Sequence, residues 1–193
     1  MRRLIVISTL LILLSAIGLQ AQSAIENEGQ KRAEDWIKRL NALDDWYITL
    51  EGKESSELAQ VVDSFMELFA PDVIAELPPH DEDQLGPVML RGTANLRKWV
   101  ERIARTRVRL LYMHKRQTEG PTGEFEGWRL AYTTPLPWGG TGLVFPIISV
   151  YSLREDRTRR YTGPGAVFLQ YGQDGKIRRM RILEAEMTQV VPL

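Results

Sequence analysis

Leu68-Phe69-Ala70-Pro71-Asp72-Val73-Ile74-Ala75-Glu76-Leu77-Pro78 is the stretch on which the fold turns. Before it, Leu58, Val61, Val62, Phe65, Met66 and Phe69 recur every three or four residues. That is the stripe of an amphipathic helix, and Ser55 or Ser56 can cap its start. Pro71 forces the stop, because proline lacks the donor N–H and its ring strikes the preceding turn. The residues from Asp72 to Leu77 then read as a strand, closed by Pro78-Pro79.

Working outward, Ala33, Trp36, Ile37, Leu40, Leu43, Trp46, Tyr47 and Leu50 make a helical stripe over Glu28 to Leu50, with Gly52 free to end it. His80 to Gly86 is a polar acidic loop, and Pro87 to Leu90 a short strand. Thr93 caps a third helix carrying Leu96, Trp99, Val100 and Ile103. After Arg105 the period drops to two: Val108, Leu110, Tyr112 and His114 share one parity. Trp128 to Thr134 and Leu143 to Leu153 continue as strands around Pro135-Leu136-Pro137-Trp138-Gly139-Gly140. Gly165 to Tyr171 and Lys176 to Met187 flank Gln173-Asp174-Gly175, where Asp-Gly predicts a type I′ turn with positive φ at both centres. No repeat or interior linker interrupts the order. The expectation is one α+β domain over residues 22–193: a cone-shaped barrel, three N-terminal helices on a strongly curved mixed or antiparallel sheet. Such a cone is a place for a ligand.

The segment ahead of that domain reads as an address. Arg2 and Arg3 precede an apolar run from Leu4 to Leu19, and Leu19-Gln20-Ala21 offers a small-residue exit. The run is shorter than the roughly 20 residues a spanning helix needs, so cleavage near Ala21 and export are expected over a retained anchor. No stable membrane insertion is then expected of the mature chain.

Apolar residues make up 44% of the chain and charged ones 26%, which excludes wholesale disorder, a collagen repeat and a polytopic membrane protein. The absence of cysteine excludes disulfides, thiolate metal sites and a Cys nucleophile. Lys and Arg balance Asp and Glu at 25 each, so no global basic field invites nucleic acid. The charge is unevenly spread. Residues 22–86 carry 5 basic and 16 acidic side chains, residues 87–193 carry 18 and 9. The simplest expectation is that the two halves lie against each other and pair charges. A basic surface meeting an anionic partner is the alternative.

The stretch from Leu68 to Pro78 resembles the helix-2-to-strand junction of the nuclear transport factor 2-like superfamily, whose bacterial branch includes SnoaL-like polyketide cyclases and ketosteroid isomerases. Leu90-Arg91-Gly92-Thr93-Ala94-Asn95-Leu96-Arg97-Lys98-Trp99 is similar to that family's entry into helix 3, and Asp174-Gly175-Lys176-Ile177-Arg178-Arg179-Met180-Arg181 to its closing hairpin. The resemblance implies a cone fold with dimerisation through the open sheet face. It also implies where isomerase chemistry would sit. The general base of the isomerases is an Asp just before the Pro of the first strand, which puts Leu77 there. The acid that donates to the dienolate oxygen lies before the last hairpin, which puts Val167 there. Neither side chain can move a proton or stabilise an oxyanion, so that chemistry is not expected.

Candidate pocket residues are Tyr47, Leu77, Tyr112, His114 and Val167, with Trp138 at the mouth as a lid or a dimer contact. His114 and Tyr112 would be its polar pair if their face is concave, and His114 a surface residue if it is convex. Glu76 is either a base or the partner of a C-terminal arginine, the second being favoured. His80 beside Asp81, Glu82 and Asp83 reads as a solvated loop before a weak cation site. Strict alternation puts the arginines at 178, 179 and 181 on both faces of the last strand. No cofactor or metal motif is visible, since Gly139-Gly140-Thr141-Gly142 lacks the Lys of a phosphate loop. Two functions follow. One is an exported protein that binds a small apolar molecule in its cone. The other is a non-catalytic, homodimeric interaction module whose cone is filled by its own side chains.

Overall fold

The stripe around Trp36 forms a helix over residues 28–43 (α1), and the stripe around Phe65 forms α2 (Ser55–Met66). The computed structural model describes residues 28–43, 55–78, 88–112, 117–119, 125–127, 131–153, 160–184 and 188–190. Helix α2 ends earlier than Pro71 requires. A turn at Glu67-Leu68 stops it, and β1 (Phe69–Leu77) has begun before the proline. Pro71 is tolerated inside that strand because the neighbouring strand β2 (Val88–Arg91) pairs only from Ile74 onward. On the other side, the register with the strand beyond shifts between Phe69 and Ile74.

The third helix is α3 (Thr93–Thr106), followed by β3 (Arg107–Tyr112), β4 (Gln117–Glu119), β5 (Phe125–Gly127) and β6 (Tyr132–Pro135). The long strands β7 (Thr141–Leu153) and β8 (Arg160–Tyr171) come next, then β9 (Ile177–Glu184) and β10 (Thr188–Val190). The main sheet runs β2-β1-β9-β8-β7-β3, with β6 beside β7 and β10 beside β8. Its only parallel pair among the described strands is β1 with β9. The architecture is the expected α+β one, an open mixed sheet with helices on one face. Among the described residues no helix is long and apolar enough to cross a membrane.

Alternation decides which face is which. Val73, Ala75 and Leu77 of β1 are buried, as are Leu143, Phe145 and Ile147 of β7, Val167 and Leu169 of β8, and Met180 and Ile182 of β9. These inner-face side chains meet Trp36 of α1, Phe65 of α2 and Val100 of α3 in one core. Trp36 lies edge-on to Phe65 at 6.1 Å and to Phe145 at 5.7 Å, joining both helices to the sheet. Arg39 locks α1 to α2 by donating to the Ser64 carbonyl at 2.6 Å.

The acidic and basic halves meet as expected. Arg97 pairs with Asp63, Arg178 with Asp72 and Arg181 with Glu76, each a basic residue of the second half on an acid of the first.

Tyr171 closes the inner face under α1, with the Arg32 guanidinium 4.7 Å from its ring centre. Burial pushes its hydroxyl from 10.0 up to about 12, Arg32 opposing the shift. In the unfolded chain the phenol ionises first, so folding stability is complete below pH 10 and falls as pH rises toward 12. The expected loss is about 2–3 kcal/mol, absent in Tyr171→Phe. Urea unfolding of both proteins across that range measures it.

Candidate functional site

Three-residue turns shape one end of the outer face. At the tip between β6 and β7, the Gly139 N–H donates to the Leu136 carbonyl at 3.0 Å and the Leu136 N–H to the Gly140 carbonyl at 3.2 Å. At the tip between β8 and β9, the Gly175 N–H donates to Gly172 at 3.1 Å and the Gly172 N–H to Lys176 at 2.8 Å. In both, the fourth residue is a glycine at positive φ, 85° for Gly139 and 75° for Gly175. Asp174 has no positive φ, so the Asp-Gly turn is not type I′. It is a type I turn followed by a left-handed glycine, whose extra residue the two-residue form cannot hold. The Lys176 N–H donates to Asp174 Oδ1 at 3.1 Å and, as the largest cause, holds that carboxyl below its usual range.

A bulge follows the second tip. Tyr171 pairs with Ile177 but Gln170 pairs with Arg179, so Arg178 is an extra residue on β9. The expected alternation therefore fails. Ile177, Met180 and Ile182 are buried while Arg178, Arg179 and Arg181 are all exposed, and no arginine of β9 reaches the inner face. Arg178 is held between Asp72 and Asp174, at 3.0 Å from each. Arg181 is held by Glu76 at 3.0 Å, so Glu76 is an ion-pair partner rather than a free base. Arg179, between them, has no partner among the described residues.

Two open depressions meet at Arg179. One, of about 590 Å³, lies between the hairpin tips, with Ile74, Gln170 and Arg179 among its lining and Leu136 and Trp138 from the β6–β7 tip. The other, of about 310 Å³, shares Ile74, Gln170 and Arg179 and extends to Met89 and Phe168. Trp138 is 69% exposed on this outer rim. Gln170, Ile74, Met89 and Phe168 escaped the reading of the sequence as site residues, and Arg179 entered it only as one of three arginines spread over both faces of the strand. The adjacent arginines at 178 and 179, in a strand otherwise alternating, were the available signal of a bulge.

On the inner face, Leu77 and Val167 fall in one row. Glu76 pairs with Arg181, so Leu77 lies one step on toward Ile182, and Val167 pairs with Ile182 on one side and Phe145 on the other. All four are buried, and Trp36 covers the Phe145 end. The side chains of this row can pack, but none can carry a proton. The indole N–H groups of Trp36 and Trp99 are buried without a hydrogen-bond partner. Tyr47 and His114 lie outside the described residues, as do His80 and the side chain of Tyr112, whose backbone pairs with Ile148. Among the described residues, no group of three His, Cys, Asp or Glu could hold a metal ion.

A family model for the SnoaL-like domain matches residues 57–180. Among solved structures, a nuclear transport factor 2-like protein of unknown function from Exiguobacterium sp. 255-15 is similar at 14% identity and TM-score 0.48, over 78% of this chain and 98% of that one. SalBIII, an epoxide hydrolase/cyclase-like enzyme in pyran ring formation in polyether salinomycin, is similar at 15% identity and TM-score 0.48, over 83% and 95%. Rv0760c from Mycobacterium tuberculosis, in complex with estradiol-17beta-hemisuccinate, is similar at 12% identity and TM-score 0.47, over 67% and 87%. Among curated proteins, none matches the chain at a significant level.

Proposed function

The chain belongs to the SnoaL-like domain family, and from that membership we propose an exported, non-catalytic binding module that pairs with a second copy through the outer face of its sheet. The observation that carries this reading is the unequal treatment of the two faces. Inside, Trp36 is clamped by Phe65 and Phe145 over the aliphatic row through Val167. Outside, Met89 of β2, Phe168 of β8 and Leu183 of β9 stand 59%, 37% and 38% exposed on the outer face. Of the charges between them, Glu76 and Arg181 pair within the chain. Two copies can meet face to face across a two-fold axis through these apolar side chains.

Leu183→Glu sets an uncompensated carboxylate in that face. It is expected to convert the mature protein from dimer to monomer in sedimentation analysis, with its circular dichroism unchanged. A wild-type protein that sediments as a monomer at high micromolar concentration removes the reading. Export is tested by fractionation and by the N-terminal residue of the recovered protein, expected just after Ala21.

A second reading, a small apolar molecule held in the cone, draws support from the Trp36 and Trp99 N–H groups, which are buried and unpartnered. A lone donor in an apolar interior is what a ligand with one oxygen uses for orientation. Solvent extraction of protein purified from its native host, followed by mass spectrometry, tests it. A stoichiometric apolar compound is the expected finding under this reading, and a clean extract rejects it.

A further inference from the structure

We infer that the depression between the two hairpin tips is a binding site for a small organic anion, a carboxylate on a flat apolar body, received by Arg179 and covered by Trp138. The site lies on the same outer face as the proposed dimer contact but does not depend on it. The three solvent-facing arginines of β9 have different fates. Arg178 is tied to Asp72 and Asp174, and Arg181 to Glu76, whereas Arg179 has no partner among the described residues. The unpaired one is also the cation that both depressions share. The bulge at Arg178 lets Arg179 face outward beside a buried Ile177, since strict alternation counted from Ile177 would turn 179 inward. Bulges recur where a strand must re-aim a side chain toward a ligand.

The surroundings fit an anion with an apolar body. Gln170 pairs with Arg179 in register and offers an amide beside the guanidinium. Ile74 and Leu136 supply apolar wall, and the Trp138 ring stands on the rim. Pro137 fixes its own φ, and the left-handed Gly139 and the Gly139–Leu136 hydrogen bond close the turn that presents the indole at the rim. The acids nearby, Asp72 and Asp174, are already paired with Arg178 and do not compete for Arg179. A volume of about 590 Å³ suits a small molecule rather than a folded partner.

The test is calorimetric titration of the mature full chain with 2-naphthoate and, separately, with neutral 2-naphthamide. Naphthoate is expected to bind at one site per chain, with naphthamide at least about tenfold weaker, the contribution of one charge-assisted hydrogen-bonding pair. Arg179→Gln is expected to weaken naphthoate about tenfold or more and to leave naphthamide unchanged. Trp138→Ala weakens both, and Lys98→Gln on α3 weakens neither. Leu183→Glu, which separates this site from the dimer reading, leaves naphthoate within about twofold. Absence of naphthoate binding overturns the inference, as does equal binding of the amide or an unmoved affinity in Arg179→Gln. Loss of binding in Leu183→Glu also overturns it, because the site would then require the second copy.

Discussion

Trp36→Ala is expected to lower folding stability by about 3–5 kcal/mol, the range for truncating a large, fully buried aromatic. Trp36 is wholly buried on α1 and touches Phe65 of α2 and Phe145 of β7 edge-on, so its removal opens a cavity at the junction of two helices and the sheet. The same core also holds Phe69, 5.2 Å from Phe65, which leaves little freedom for the neighbours to collapse into the gap. Urea unfolding of the purified mature chain measures the effect. Its size discriminates between the two functional readings. A loss near 4 kcal/mol belongs to a packed cone. A loss under about 1 kcal/mol means the indole borders open space, and the small-molecule reading then takes precedence.

Leu77→Asp is the second large effect. It sets a carboxyl at the position to which the sequence resemblance assigns the isomerases' base. The expected outcome is no gain of isomerase activity and a loss of about 3–5 kcal/mol at neutral pH, because the carboxylate is buried with no cation beside it. Leu77 is fully buried, and its row continues through Ile182, Val167 and Phe145. Burial raises the carboxyl's folded pKa above its unfolded value. The variant is therefore closest to wild type in acid, and the gap widens as pH rises from the unfolded pKa to the folded one. Chemical denaturation at several pH values reads this directly. A Leu77→Asp protein as stable as wild type at neutral pH would mean that the position faces water, and the inner face would again be a candidate active site.

How much of this was legible depends on the range of the interaction involved. The stripe through Trp36, Phe65 and Trp99 placed three helices and their buried faces, because a helical period is a property of neighbours along the chain. Pro71 marked the end of α2 to within a few residues. It did not show that the strand had started before it, since that rests on where β2 stops pairing. Asp174-Gly175 announced a hairpin, but its turn type depended on the spacing of the strands it joins. Leu77 and Val167 were nominated from separate motifs, and only the register shows that they share a row.

The sequence by itself determined the fold class, the helix order, the buried parity of most strands and the aliphatic character of Leu77 and Val167. These follow from periods of about 3.6 and 2 and from side-chain chemistry, both local. Tertiary structure alone decided the fate of the arginines. One extra residue at Arg178 resets the alternation of β9. It puts three guanidiniums on one face, and contacts with Asp72, Asp174 and Glu76 then neutralise two of them. Which arginine is left unpaired depends on Asp72 and Glu76, about a hundred positions away, and no local period carries that information.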